Sequence, residues 1–455
     1  MPTPIFERFS SLSPISVMAR AIVERTLDPN NLDEWFDKTA RAQYTDTLLF
    51  SSVFQIMSDV VNGNRPSVNA AYKAMKDQVG VSVASVYNKL NCIESHTSEE
   101  LVRYAAGELA PVVEALGGAR KPLLPGLRSR LLDGNCIEAT EHRIKELRGI
   151  GSGALPGKTL VVYDSELRLP VNVFACEDGH AQERSMLDRV LATVDEGELW
   201  IGDRNFCTVS FLFGIDERDG RFIIRQHGNL PWRAVGPEKA RGKTDTGKVF
   251  EQPIEVTDES GKSRRFRRIR VALKSETRDG DTEICILTNL KGKEASAKKI
   301  ATIYRKRWRI ETAFQELKEY LNSEINALGY PPAAIFAFCV SLVSYMVMAL
   351  IKAALSAEHG TEKIENELSG YYVADEICGT YRGMMIAIPE EEWSVFAEMS
   401  GDEFVEALRK LSGAVKLEAF KKQPRGPKKT RRKRTSDPKK PHVSTARILK
   451  KRKSK

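Results

Sequence analysis

Between Ala333 and Ile351 the chain reads "AAIFAFCVSLVSYMVMALI", 19 residues without a charge. A stretch of this kind has two homes. One is the hydrocarbon of a bilayer; the other is the centre of a domain large enough to cover a helix on every side. Ser341, Ser344 and Tyr345 interrupt the run, Pro331-Pro332 precede it, and no second run accompanies it. A buried central helix is expected, and no membrane partner. With 455 residues, the chain has the length for roughly two to four structural units around it.

Charge is unevenly placed. The net charge is +9, yet residues 421–455 carry 17 of the 70 Lys and Arg and a single acid, Asp437. The body before them is mildly acidic. The tail, beginning "KKQPRGPKKTRRKRT", has little to bury, so it is expected to be disordered alone and to seek a polyanion such as nucleic-acid phosphate or an anionic membrane surface. Seven scattered cysteines without a C-x-x-C pair, and six histidines without ligand spacing, argue against a disulfide framework and a zinc site. They suit a reducing cytosol. The opening "MPTPIFERFSSLSP" carries an acid and no long apolar run, so no secretory signal is expected there.

Residues 1–121 read as helical. "TDTLLFSSVFQIMSDVV" has helical spacing, and "VNAAYKAMKDQVGVSVASVYNKLN" reads as helix, turn at Gly80, and helix from Ser82. That is the outline of a helix-turn-helix, with Ser82, Ser85, Tyr87, Asn88 and Lys89 available to a DNA groove. Residues 122–213 change texture. "RLLDGNCIEAT", "TLVVYDSEL" and "LPVNVFACE" read as strands, "AQERSMLDRVLATV" as a helix, "ELWIGD" as a buried strand and "FCTVSFLFGIDE" as a helix. The strand "RFIIRQH" completes the order βββαβαβ; residues 214–295 continue past it into "KVFEQPIEV", "RRFRRIRVALKSE" and "EICILTNL", a β-rich insertion, 296–355 return to helix, 356–420 are further helices, and 421–455 are the tail. The fold class expected is α/β, a mixed sheet flanked by helices. "GIGSGALPGKTL" imitates a phosphate-binding loop but has Ser152 where the motif needs glycine, and it precedes a strand; it is read as a connection.

The stretch "YRKRWRIETAFQELK", Tyr304 to Lys318, is basic yet holds Glu311. At about 100° per residue, Tyr304, Arg307, Glu311 and Lys318 fall within roughly a 60° arc of one helix face. Ile303, Ile310, Phe314, Leu317 and Leu321 form an adjoining apolar stripe. Charges on the shoulder of a buried face need partners. An Arg307–Glu311 pair is the plain account, unless other acids meet it. Asp133 in "RLLDGN" and Asp203 at the end of "LWIGD" are such acids, each beside a glycine. Asp164, ending "LVVYD", is a rival of second rank. If the first and fourth strands lie side by side, the two aspartates meet at one edge. Three carboxylates together repel unless cations join them, and hard oxygen ligands suit Mg2+ or Mn2+. Two such ions would activate an attacking oxygen and stabilise a leaving oxygen in phosphodiester displacement.

These residues carry a resemblance. The chain resembles the DDE transposases of bacterial insertion sequences, in the group marked by Y-x2-R-x3-E-x6-K. Tyr304, Arg307, Glu311 and Lys318 match that signature at every spacing, and "LLDGN" and "IGDRNF" resemble its two aspartate motifs, with Asn135 where a hydroxyl residue is more usual. The resemblance implies a ribonuclease-H-like core with a β-rich insertion, and Asp133, Asp203 and Glu311 as catalytic ligands of two Mg2+ or Mn2+ ions. It implies cleavage at transposon ends and joining of the freed 3′-hydroxyl to target DNA. Tyr304, Arg307 and Lys318 would then grip phosphates and Trp308 could stack on a base. It further implies double-stranded DNA as partner, a homodimer on paired ends, and a cytoplasmic, DNA-associated location in a bacterium. The alternative is a catalytically silent DNA-binding protein derived from such an enzyme.

Overall fold

The sheet's strands alternate in burial, and that alternation assigns its two faces. In the computed structural model, which describes residues 3–453 except 44, 46, 139, 141–143, 150–152, 278–279 and 424–442, Leu131, Val161, Tyr163, Leu199, Ile201 and Ile223 face one core. Leu132, Leu160, Val162, Trp200, Phe222 and Ile224 face another. Neighbours in sequence thus go to opposite sides, as a pleated strand requires.

The strands are β1 (Arg128–Cys136), β2 (Ala154–Leu155), β3 (Lys158–Asp164), β4 (Leu169–Cys176), β5 (Glu198–Gly202), β6 (Arg221–Arg225), β7 (Arg233–Ala234), β8 (Lys239–Lys243), β9 (Gly247–Thr257), β10 (Ser263–Leu273), β11 (Glu283–Thr288) and β12 (Val443–Ser444). The large sheet runs β4-β3-β1-β5-β6-β11-β10-β9-β7, with β8 also on β9. β1 pairs in parallel with β5, and β5 with β6; the other pairs in this sheet are antiparallel. The sheet is mixed and flanked by helices, with helical regions before and after it. β6 is a central strand of this mixed sheet, and β9 to β11 prolong the same sheet. One expectation needs amendment here. The segment "AQERSMLDRVLATV" forms only a 3-10 turn, Glu183–Met186, and the short helix Leu187–Leu191.

The apolar run folds as the helix Pro331–His359, with 94% of its most apolar window buried. It packs against the helices Ser95–Ala115, Phe50–Val61 and Gly401–Ala414 and against β4. Its length and composition would also let it cross a membrane. Its cover is protein: Phe336 is wholly buried, its ring 5.9 Å from that of Phe50, which stacks 4.6 Å from Phe36.

The N-terminal helices include the expected pair around Gly80, which has φ +67°. Ser82 caps the helix Val83–Cys92 by accepting from Ser85 N–H. The proposed groove-facing set is smaller than expected, however. Lys89 turns inward, its ammonium donating to Leu48 O at 3.0 Å and lying 5.0 Å from the Phe36 ring centroid. Tyr87 packs against the core, leaving Ser82, Ser85 and Asn88 exposed.

The tail also differs from expectation at its end. Residues 424–442 lie outside the described residues, but β12 pairs in parallel with β2, and Thr445–Lys453 form a helix. Arg447 Nε donates to Asp178 Oδ2 at 2.6 Å, and Val443 and Ile448 pack on Ile144, Leu147 and Ala154. These two apolar residues supply the small burial that a uniformly basic segment lacks.

Because Phe336 fills the centre of the helical core, Phe336→Ala should lower unfolding stability by about 3–5 kcal/mol, measured by urea denaturation.

Candidate active site

Strand register brings the two aspartates together. The β1–β5 pairing ends at Leu132↔Gly202, so Asp133 and Asp203 are the next residues on adjacent parallel strands. They line one open cavity of about 380 Å3, together with Glu183, Arg204, Asn205, Phe206 and His227. Such a crevice beyond the carboxyl end of a strand is the usual ligand position in α/β sheets. Asp203 begins a 3-10 turn, Arg204–Phe206, and its carboxylate accepts from Arg204 N–H.

Asp133 shares the face of Leu131, the face covered by helices. There it meets Arg307, whose Nη1 lies 3.2 Å from Asp133 Oδ2 while its Nη2 lies 2.5 Å from Glu311 Oε1. The guanidinium thus stands between the strand acid and the helix acid. It is nearly buried, at 8% exposure. Burial works against its charge, but Tyr304, Asp133, Glu311 and Asp203 outweigh that and raise its pKa further. Tyr304 is also buried, and its hydroxyl is pushed up to about 12 by burial, with Asp203 adding to the rise and Arg307 opposing it.

The stretch Tyr304–Lys318 is not one continuous helix. A helix ends at Arg305, a turn occupies Lys306 and Arg307, and a second helix runs Trp308–Tyr320. Lys306 N–H bonds to Ile303 O and Arg307 N–H to Tyr304 O, the tighter i to i+3 pattern. The expected four-residue stripe is therefore split, with Tyr304 on one helix and Glu311 and Lys318 on the other. Ile303, Ile310, Leu317 and Leu321 nevertheless remain buried.

The four residues expected to face DNA are placed in three different ways. Trp308 is 64% exposed at the start of the second helix. Lys318 is ion-paired with Glu324 at 2.9 Å and Glu138 at 3.3 Å. Tyr304 and Arg307 sit inside the acid cluster. Asp164 is spent elsewhere: fully buried, it accepts from Arg128, Arg130 and the N–H groups of Glu166 and Leu167.

Sequence reasoning missed Glu183, Asn205 and His227 as cavity residues. Glu183 looked like one charge among several on an amphipathic segment. Its one signal was Gly134, where a β-carbon would overlap the Glu183 carboxylate.

The donor set suits a hard cation: the carboxylates of Asp133, Glu183 and Asp203 all line one cavity. Among the described residues, however, no three His, Cys, Asp or Glu side chains group closely enough to hold an ion together. Arg307 supplies the positive charge between Asp133 and Glu311. It leaves Asp133 under-compensated: burial, with Glu311 and Asp203 adding to it, pushes that carboxyl up to about 7 against the pull of Arg307 and the Gly134 N–H. Relief of that strain is what a divalent cation offers.

Residues 125–343 match the family model of the transposase DDE domain. The transposase of insertion sequence element IS421 from Escherichia coli is 26% identical over 293 residues, covering 55% of this chain and 72% of that protein. The InsL protein of insertion sequence element IS186A from Escherichia coli K12 is 26% identical over 293 residues, covering 55% and 73%. The y4zB protein of Sinorhizobium fredii is 27% identical over 168 residues, covering 36% and 44%.

Asp133 gives a pH signature. Its folded value of about 7 exceeds that of an unfolded aspartate, so folding favours the neutral acid. That contribution is complete below about pH 4 and is lost as pH rises through about 7. In EDTA, the Tm of Asp133→Asn relative to the unaltered protein should therefore rise between about pH 4 and about pH 8. A flat difference across that range would show that Asp133 does not titrate there.

Proposed function

Since this chain belongs to the DDE transposases of bacterial insertion sequences, we propose that it cuts the ends of its element and joins them to target DNA through Asp133, Asp203 and Glu311. The observation that carries the reading is the register of β1 and β5, which sets the two aspartates side by side on one cavity, with Arg307 tying Glu311 to the first of them.

In this reading Asp133, Asp203 and Glu311 would hold two Mg2+ or Mn2+ ions. When bound, these supply charge stabilisation for the attacking and leaving oxygens of a phosphodiester. The chain's own residues do the rest. Arg307, charged and nearly desolvated, compensates the carboxylates and keeps the Trp308–Tyr320 helix against β1. Tyr304 stays protonated and can donate a hydrogen bond to a phosphate oxygen beside Asp203. Trp308 offers an exposed indole for an unpaired base at the cleaved end, and stacking of that kind tolerates any sequence. Lys318, two turns beyond Glu311, can exchange its glutamate partners for a phosphate. The helix pair around Gly80 and the basic tail add contacts away from the chemistry, the tail through charge alone. A homodimer on paired ends, acting in the cytoplasm, completes the reading.

Asp203→Ala and Glu311→Ala should each abolish strand cleavage in Mg2+, with binding to end DNA kept within about threefold in a gel-shift assay. Cleavage by either purified variant at the unaltered rate would remove that residue from the catalytic set. Deleting residues 421–455 removes 17 basic side chains. It should weaken binding to all DNA sequences and reduce the slope of log affinity against log salt. Equal slopes with and without the tail would show that it does not touch phosphate.

A further inference from the structure

Glu183 shares the cavity of Asp133 and Asp203 and has so far no task. It heads the 3-10 turn Glu183–Met186, whose Met186 is buried in the core on the side of the sheet facing away from the helix of Glu311. Gly134, the residue after Asp133, points to that side, and a β-carbon there would collide with the Glu183 carboxylate. The same carboxylate accepts a hydrogen bond from Asn205 Nδ2. Next to it, Arg184 Nε donates to Asn205 O at 2.8 Å. Asn205 follows Asp203 by two residues in the turn Arg204–Phe206. One short turn thus holds the residue after the first aspartate and the residue two beyond the second.

We propose that Glu183 is a positioning residue: its carboxylate, seated against Gly134 and bonded to Asn205, fixes the Asp203 turn against β1 and so sets the separation of the two aspartates. The β1–β5 pairing stops at Leu132↔Gly202, one residue short of both acids. Beyond that pair, backbone hydrogen bonds between the two strands no longer fix the spacing. A side-chain clamp from a third element can do so, and the missing side chain at Gly134 leaves room for it. A ligand pair needs its spacing held by surrounding hydrogen bonds, whose loss typically costs metal sites about 10–100-fold in affinity. The inference rests on the transposase reading for its functional consequence, but its structural half is independent of it.

The experiment uses the full chain as Glu183→Ala, Glu183→Gln and Asn205→Ala. The first readout needs no metal: hydrogen exchange of the amides of residues 204–207 in EDTA. Glu183→Ala and Asn205→Ala should speed it by about tenfold, with global unfolding unchanged. Calorimetric titration with Mn2+ should show about 10–100-fold weaker binding in both, and cleavage of end DNA should lose kcat with KM unchanged. Glu183→Gln keeps an oxygen that accepts from Asn205, so it should restore slow exchange and most of the Mn2+ affinity. Unaltered exchange and Mn2+ affinity in Glu183→Ala would overturn the proposal. So would a Glu183→Gln protein as impaired as Glu183→Ala, because the charge and not the hydrogen bond would then be at work. If the unaltered chain neither binds Mn2+ nor cuts end DNA, the transposase reading fails, and the exchange rates alone still decide the clamp.

Discussion

The site depends on one guanidinium. Asp133 lies largely out of water with Glu311 and Asp203 near enough to raise its pKa, an approach that like charges resist. Arg307 makes that approach tolerable by bonding to the strand acid with one nitrogen and the helix acid with another. Its fixed, planar fork suits the task as a flexible ammonium would not. Being nearly buried itself, it cannot be removed cheaply, because loss of one member of such a pair strands the others without water.

The rest of the fold holds this junction in place. Parallel pairing of β1 with β5 fixes the aspartates in register, and pleating decides that Asp133 faces the helices. The helix that carries Glu311 is tied at its far side by Glu316 to Lys352 of the central helix, at 3.3 Å. Just past its end, Asn322 donates to Val60 O and Val61 O, at 2.9 and 2.8 Å, fastening it to the Phe50–Val61 helix. The long apolar run found first in the sequence therefore has a structural consequence beyond its own core. It is the post against which the glutamate-bearing helix is braced.

Much of this was legible beforehand, and for a physical reason: strand and helix periodicity are local. The strands containing Asp133 and Asp203, the burial of Pro331–His359 and the turn at Gly80 all follow from patterns a few residues long. What was not legible depends on contacts between distant segments. The apolar stripe Ile303, Ile310, Leu317 continues across Lys306-Arg307, so periodicity alone gave no hint of the tightened turn there. Lys89 looked solvated because nothing in its neighbourhood announces Phe36 or Leu48 O. Glu183 was hidden for the same reason, since its partners Gly134 and Asn205 are 49 and 22 residues away. The docking of residues 443–453 turns on two apolar side chains within a basic run, too few for composition to reveal.

A comparison within the sheet shows what separates a saturated acid from an under-compensated one. Asp164 and Asp133 lie on the antiparallel neighbours β3 and β1, and both are largely removed from water. Asp164 spends its oxygens on two arginines, at 2.6 Å each, and on two backbone N–H groups at 2.9 and 2.8 Å. It is saturated, and its bonds close the turn between β3 and β4. Asp133 has one arginine at 3.2 Å and its neighbour's N–H at 3.0 Å, with two further carboxylates nearby. Burial without saturation is what pushes its carboxyl up, and the same deficit leaves oxygen lone pairs directed at a cavity. Strand position alone ranked these two acids closely; the count of hydrogen bonds already committed distinguishes them.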